Sequence, residues 1–196
     1  QLFIDGVRAI RARTTGPLTS FCDYRDATTG KRINKFTSSN IEMANWKNKQ
    51  DTEFVINDRH MHYRLPIDTI VSDGTTATFT MQNPALSYAI SAATLQPAYV
   101  ENAYEALDEA GEWYLDTTGA INGTANTFYY KPRAGEDINT AVIIAPVLEK
   151  IINVEGRSVS TPAHNIVFQG INFKYTTYLR PNTSEGHVVG QNNVIS

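Results

Sequence analysis

The side chains with chemistry to offer in this sequence are scattered carboxylates, a pair of close histidines, three arginines near the start, one thiol and two tryptophans. Glu105, Asp108 and Glu109 crowd together in ENAYEALDEA at 101–110. Acid–base cleavage by a carboxylate pair needs two Asp/Glu flanking one bond, with one of them in surroundings that raise its pKa. No spacing here forces such a pair together, and outward-facing carboxylates on a short helix read as a solvated face. His60 and His62 sit two apart, which on a strand puts both on one face. A metal centre needs further ligands at tetrahedral geometry, and none is grouped with them in the sequence. Cys22 is the single cysteine, so it has no partner for an intrachain disulfide. It also lacks a neighbouring His to make it a nucleophile, and neither a nucleophile elbow nor a glycine-rich phosphate loop occurs. Arg8, Arg11 and Arg13 read as a basic edge that protects a strand by charge. Trp46 and Trp113 offer flat faces for a sugar ring, but each reads first as a buried anchor.

The elements that carry these residues are short and mostly β. Asp5-Gly6 between Leu2–Ile4 and Val7–Arg13 is a type I′ hairpin signal, since both turn residues tolerate positive φ. Residues 14–50 have poor periodicity and read as a long irregular excursion with short strands. Glu53–Asn57, His60–Leu65, Thr69–Val71 and Thr75–Gln82 read as successive strands. In the last of these, Ala77, Phe79 and Met81 alternate with Thr76, Thr78 and Thr80, the pattern of a half-buried antiparallel strand. The apolar stretch Pro84–Pro97 contains a possible helical turn. Glu101–Ala110 reads as a short helix with Glu101 in its first turn and Gly111 closing it. Glu112–Asp116 and Thr127–Lys131 form an aromatic hairpin in which Trp113 and Leu115 share one face and Tyr114 takes the other. Pro132 ends it, and the turn at 117–126 reads as expanded and flexible.

After Gly135 the pattern changes. The apolar runs Ala141–Pro146, Ile151–Glu155, Ile166–Gln169 and Ile171–Tyr175 are punctuated by Gly156 and Gly170. Ile151 and Ile166 stand fifteen residues apart. Short β segments at this spacing, each too small to bury its own face, are expected of stacked solenoid rungs.

Composition supports the class. A chain of 196 residues with 41% hydrophobic and 19% charged residues can bury a real core. Its formal net charge of −3 gives no general attraction to phosphate backbones, so nucleic acid is disfavoured as a partner. No apolar run reaches the length of a membrane-spanning helix. The chain starts directly in a strand without an initiator Met, and is expected to be a fragment of something larger.

Three blocks carry a family resemblance: ENA-x-E-x-LDE-x-GEWYLD at 101–116, YY-x-PR-x-GED at 129–137 and N-I-x-F-x-G-I-x-F-x-Y-T-T at 165–177. With the opening hairpin QLFIDGVRAIRAR, they resemble bacterial right-handed parallel β-helix, pectate-lyase-like proteins. Within these they resemble glycoside hydrolases that act on galactosides, fucosides or xylosides. The resemblance implies a mostly all-β fold. An antiparallel barrel- or sandwich-like accessory domain with one short helix would fill residues 1–137, and the first, incomplete β-helix coils residues 138–196. It implies an accessory, cleft-shaping role in a secreted enzyme, extracellular or periplasmic. The partners would be a polysaccharide or glycan and the remainder of the β-helix, with no cofactor or metal. The family's catalytic carboxylates lie on later coils, so no catalytic residue carries over. In the loop leaving the last rung, Tyr178 is expected to stack on a pyranose, and Arg180 and His187 to hydrogen-bond its hydroxyls or a carboxylate. A non-catalytic carbohydrate-binding or structural β-helix module is the alternative reading, and a polysaccharide lyase fragment a further one.

Overall fold

A computed structural model of the chain describes residues 1–58, 61–84, 86 and 95–177. It gives the alternating run its expected burial: Ala77, Phe79 and Met81 point into the core, and Thr78 and Thr80 are only half covered. Twelve strands are present in the described residues: β1 (Phe3–Ile4), β2 (Val7–Arg8), β3 (Ile10–Arg11), β4 (Cys22–Arg25), β5 (Arg32–Ser38), β6 (Glu53–Asp58), β7 (Met61–Ser72), β8 (Ala77–Met81), β9 (Tyr99–Glu101), β10 (Glu112–Asp116), β11 (Thr127–Tyr130) and β12 (Ile143–Ile144). Three short 3-10 segments accompany them, at Ile41–Asn45, Lys49–Asp51 and Tyr104–Ala106. The strands form three sheets, ordered β12-β1-β2, β11-β10-β3 and β4-β5-β8-β7-β6-β9. Every pairing is antiparallel except that of β3 with β10. The chain is therefore mostly β with antiparallel sheets, as expected.

The six-stranded sheet is curled. β5 and β6 are separated in it by β8 and β7, which in a flat sheet would set them about 14 Å apart. Yet the rings of Phe36 on β5 and Phe54 on β6 lie 5.9 Å apart, and Phe54 meets Phe79 on β8 at 5.2 Å. The long strand β7 makes this possible. It pairs with β6 through Met61–Pro66 and with β8 through Ile67–Ser72, with a register shift between Ile67 and Thr69. Proline lacks the N–H that a central ladder needs, so Pro66 marks the changeover. The inner face collects Phe36, Phe54, Ile56, Leu65, Ile67, Phe79 and Val100 into the main core, against which Trp46 packs half-buried as an anchor. A second, smaller core of Leu2, Ile4, Ala9 and Trp113 joins the two three-stranded sheets.

Several expectations are corrected. Residues 14–50 are an irregular excursion with short strands, as expected, but those strands, β4 and β5, pair with each other and extend the main sheet. The signal was masked because β4 is largely exposed and so shows no apolar alternation. Val7–Arg13 is not one strand. Asp5 and Gly6 do take positive φ, +48° and +79°, and β2 returns along β1, but the chain changes sheets at Ala9, whose N–H reaches Leu2 O at 2.9 Å. From Ile10 onward it follows β10 instead. The helix expected over 101–110 is absent: Glu101 ends β9 and only Tyr104–Ala106 turns. Gly111 holds φ +91° as a stop should, but it closes a loop against Lys131 O at 2.7 Å. Most of Pro84–Pro97 lies outside the described residues.

The segments expected as rungs correct the reading furthest. Ile143–Ile144 forms a strand, antiparallel to β1. Ile151–Glu155, Ile166–Gln169 and Ile171–Tyr175 form no strand, and Ile151, Ile166, Phe168, Ile171 and Phe173 stand 42–58% exposed. A parallel ladder needs a neighbouring rung to accept its hydrogen bonds, and the described chain supplies none. The extended tail still returns to the N-terminal strand: Tyr175 meets Phe3 edge-on at 4.9 Å, and Thr177 N–H reaches Leu148 O at 3.0 Å.

Candidate functional site

The densest charge in the described chain sits where the β11-β10-β3 sheet meets the main sheet. Register places Glu53 of β6 directly opposite Glu101 of β9, and both are 3% exposed. Two carboxylates facing each other across strands repel, and burial would compound the cost. Two guanidiniums remove it. Arg64, from the neighbouring β7, donates Nη1 to Glu53 Oε2 at 2.9 Å and to Glu101 Oε1. Arg11, from β3 in the other sheet, donates Nη1 to Glu53 Oε1 at 2.9 Å and to Glu101 Oε1 at 3.3 Å. Burial works against the Arg64 charge, but Glu101 and Glu53 more than offset it and hold its pKa above the usual value. The four charges cancel, and they tie the two sheets together.

Neighbouring backbone fixes the position of Glu101. Thr14 N–H reaches Val100 O and Asn102 N–H reaches Ala12 O, each at 2.8 Å, which sews β9 to the strand leaving β3. Asn102 takes φ +63° and donates Nδ2 to Asp51 O at 2.7 Å. Arg13 lies over the Tyr99 ring at 4.7 Å. The basic edge expected of Arg8, Arg11 and Arg13 is therefore corrected for two of its members, because the Arg11 guanidinium is held by Glu53 and Glu101 and that of Arg13 lies over Tyr99.

The other buried acids also organise backbone. Glu112 accepts the N–H groups of Asp108 and Glu109, both at 3.1 Å. Asp116 accepts from Asn48 Nδ2 at 2.9 Å and from the N–H groups of Gly119 and Ile121, also at 2.9 Å. Desolvation raises its pKa, but the Ile121 N–H, Asn48 and the other donors outweigh it and bring the carboxyl down to about 2. The turn expected to be expanded and flexible is, over Thr118–Ile121, a loop wound on one carboxylate. A depressed folded pKa contributes stability that is complete above the unfolded value of 3.8 and lost as pH falls toward about 2. Asp116→Asn is therefore expected to lower the melting temperature at neutral pH, and the gap from the unsubstituted chain to close as pH drops through that window. Thermal melts across the acid range check it; a gap that stays constant with pH would sink the assignment. At the hairpin's far end Tyr130 donates its hydroxyl to Glu136 Oε2 at 2.5 Å. Burial and that bond push the phenol up to about 12.

Glu105, Asp108 and Glu109 are exposed, as the solvated-face reading expects. Trp113 is 7% exposed and belongs to the smaller core with Leu115 packed against it. Tyr114 on the other face contacts Tyr104 at 5.8 Å. His62 Nδ1 lies 2.8 Å from Asn57 Oδ1, and His60 lies outside the described residues. Tyr178, Arg180 and His187 also lie outside them. Among the described residues no group of three or more His, Cys, Asp or Glu converges on a metal position, and no helix is long and apolar enough to cross a membrane. Sequence reasoning missed the Arg11–Glu53–Arg64–Glu101 cluster. Its one available signal was charge placed within strand patterns: Glu53 and Arg64 sit in runs otherwise rich in Phe, Val, Ile, Tyr and Leu.

This is a mostly β module whose buried carboxylates are committed to guanidiniums and backbone N–H groups, with its first and last described strands, β1 and β12, paired. The chain belongs to the GH141 insertion domain family, whose model matches residues 1–133. It is similar to a solved structure described as a glycoside hydrolase, at 26% identity and a TM-score of 0.68. That likeness covers 93% of this chain and 32% of the other, so the chain spans about a third of that protein's length. No curated protein matches.

Proposed function

We propose that the chain is the accessory, cleft-shaping part of a secreted β-helix glycoside hydrolase acting on a polysaccharide or glycan. In this reading it holds no catalytic pair of its own, and works outside the cell or in the periplasm. The observation that carries the reading is the family match to an insertion domain over residues 1–133, set beside the exposed apolar tail that follows it. Ile166 and Phe168 stand two apart, as do Ile171 and Phe173, the spacing of one strand face, and all four are about half exposed. A solitary rung behaves this way, because each rung of a solenoid buries its face only against its neighbours. The likeness to the solved glycoside hydrolase covers more of the chain than the family match does, which supports placing the tail in the same larger assembly.

Tyr178, Arg180 and His187 remain the proposed sugar contacts, at the point where the chain leaves the tail. The test is to express the chain with the adjoining segments of its parent protein and assay aryl galactosides, fucosides and xylosides. Release of the aryl group, reduced by Arg180→Ala or His187→Ala through a raised KM, is expected. An intact parent that releases nothing from any glycoside would remove the reading, and product absorbance from an unsaturated sugar would replace it with a lyase.

A further inference from the structure

β11 is an outer strand of the β11-β10-β3 sheet, and register shows which of its backbone groups face out. On β10, the Trp113 C=O accepts the Ala12 N–H on the β3 side at 2.8 Å. Backbone groups alternate sides along an antiparallel strand, so Tyr114 and Asp116 face β11, where they stand opposite Tyr129 and Thr127. The next inward residue of that strand, Lys131, gives its N–H to Glu112 O at 2.9 Å and takes that of Gly111 at 2.7 Å. Phe128 and Tyr130 therefore turn away from β10. Each brings one N–H and one C=O to the outer edge, and among the described residues neither has a backbone partner there.

The other outer strands are blunted. β4 carries Asp23 and Arg25, and β2, β3 and β12 are two residues long. The Arg8 carbonyl of β2 also takes Arg133 Nη2 at 3.0 Å, and β9 is sewn to the chain leaving β3. Charge, shortness and cover are the usual protections of an edge. No charge, proline or bulge falls within the Thr-Phe-Tyr-Tyr of β11. The Phe128 ring is 46% exposed, opposite the half-buried Leu115. Such an edge accepts a further strand, with main-chain hydrogen bonds for affinity and flanking side chains for selection.

Size decides which strand that is. A ladder on two outward residues buries far less than the roughly 1,600 Å² of a stable interface between separate molecules. Neither a free peptide nor a second copy would stay on it. A segment of the same polypeptide needs no such area, because linkage supplies an effective concentration in the mM range. This chain covers 32% of the similar solved structure, so most of that protein lies outside the matched part.

We infer that the outer edge of β11 receives an extended segment of the parent protein from outside these 196 residues, with apolar side chains where it flanks Phe128. That the segment belongs to a larger parent rests on the function proposed above; the open edge does not. The added strand fixes the insertion module to the rest of the protein at a place separate from the apolar tail.

Amide hydrogen exchange reads this edge residue by residue. In the 196-residue chain, Phe128 and Tyr130 are expected to exchange at least about tenfold faster than Tyr129 and Lys131. In the parent protein the same two amides are expected to slow by at least about tenfold. Unchanged exchange in the parent overturns the inference. So does protection already present in the chain, and a dependence of that protection on concentration would assign the edge to a second copy. Two variants of the parent give a reading without the isolated chain. Phe128→Ala removes the ring and keeps the N–H, whereas Phe128→Pro also removes the N–H, which faces away from β10. With Tyr129 protected in both, Tyr130 is expected to keep its protection in the first and lose it in the second; equal protection overturns strand addition. If the parent cleaves aryl glycosides while Phe128 and Tyr130 exchange as in the chain, the inference fails and the proposed function stands. If both amides are protected in a parent that cleaves nothing, the inference stands and the hydrolase reading fails.

Discussion

Glu101→Ala is expected to lower the unfolding free energy by about 3–5 kcal/mol, the range for removing one partner from a buried ion pair. The carboxylate is 3% exposed and accepts from both Arg11 and Arg64. Without it, two guanidiniums share the single carboxylate of Glu53, and one half-buried positive charge is left uncompensated. The loss also loosens the join between sheets, since Arg11 belongs to the β3 side and the other three residues to the main sheet. Denaturant titration measures it against Glu109→Ala, an exposed carboxylate in the same stretch, which should cost less than about 0.5 kcal/mol. Replacing the pair together, Arg64→Met with Glu101→Leu, is expected to recover much of the loss, because an apolar pair of similar volume carries no desolvation cost. A Glu101→Ala chain within about 1 kcal/mol of the unsubstituted one, well short of that range, would show that the cluster is not coupled to folding.

Phe54→Ala carries the other large effect, also about 3–5 kcal/mol, from lost burial plus the cavity left behind. Its ring is fully buried and touches Phe36, Phe79 and, at 6.2 Å, Phe21. These rings come from β5, β8 and the segment before β4, so the core cannot collapse by moving one neighbour. Phe54→Leu should cost less than half as much, since most of the volume stays. The same titration decides; equal costs for the two variants would mean that ring contacts, and not volume, dominate this core. A loss far below the range would mean that the sheet relaxes into the gap and is not held curled by these rings.

Much of the fold was legible because the information is local. The alternation around Phe79, the Asp5-Gly6 turn and the two aromatic strands at 112–116 and 127–130 each follow from neighbouring residues, and the structure keeps all of them. The helix over 101–110 fails for an equally physical reason. Ala103, Tyr104 and Leu107 are compatible with a helical stripe, but pairing of β9 with β6 and with Arg13 satisfies the backbone around Glu101 and stops a helix from starting there. β4 was hidden because a strand largely exposed on both faces carries no apolar period, and β5 because one of the two residues that it buries is the polar Ser38.

The carboxylates divide along the same line. Sequence alone determined that the Glu105–Glu109 group faces solvent, that Trp113 belongs to a core, and that the chain is a mostly β module resembling part of a glycan-cleaving protein. Only tertiary structure decided which acids are buried and what they hold. Glu53 meets Glu101 through strand register across 48 residues, and Arg11 reaches both from another sheet because the chain changes partners at Ala9. Those are long-range pairings, and no periodicity within a window of ten or fifteen residues contains them. The apolar tail is the complementary case: its alternation is written in the sequence, but a strand needs a neighbour to accept its hydrogen bonds, and the described chain provides none.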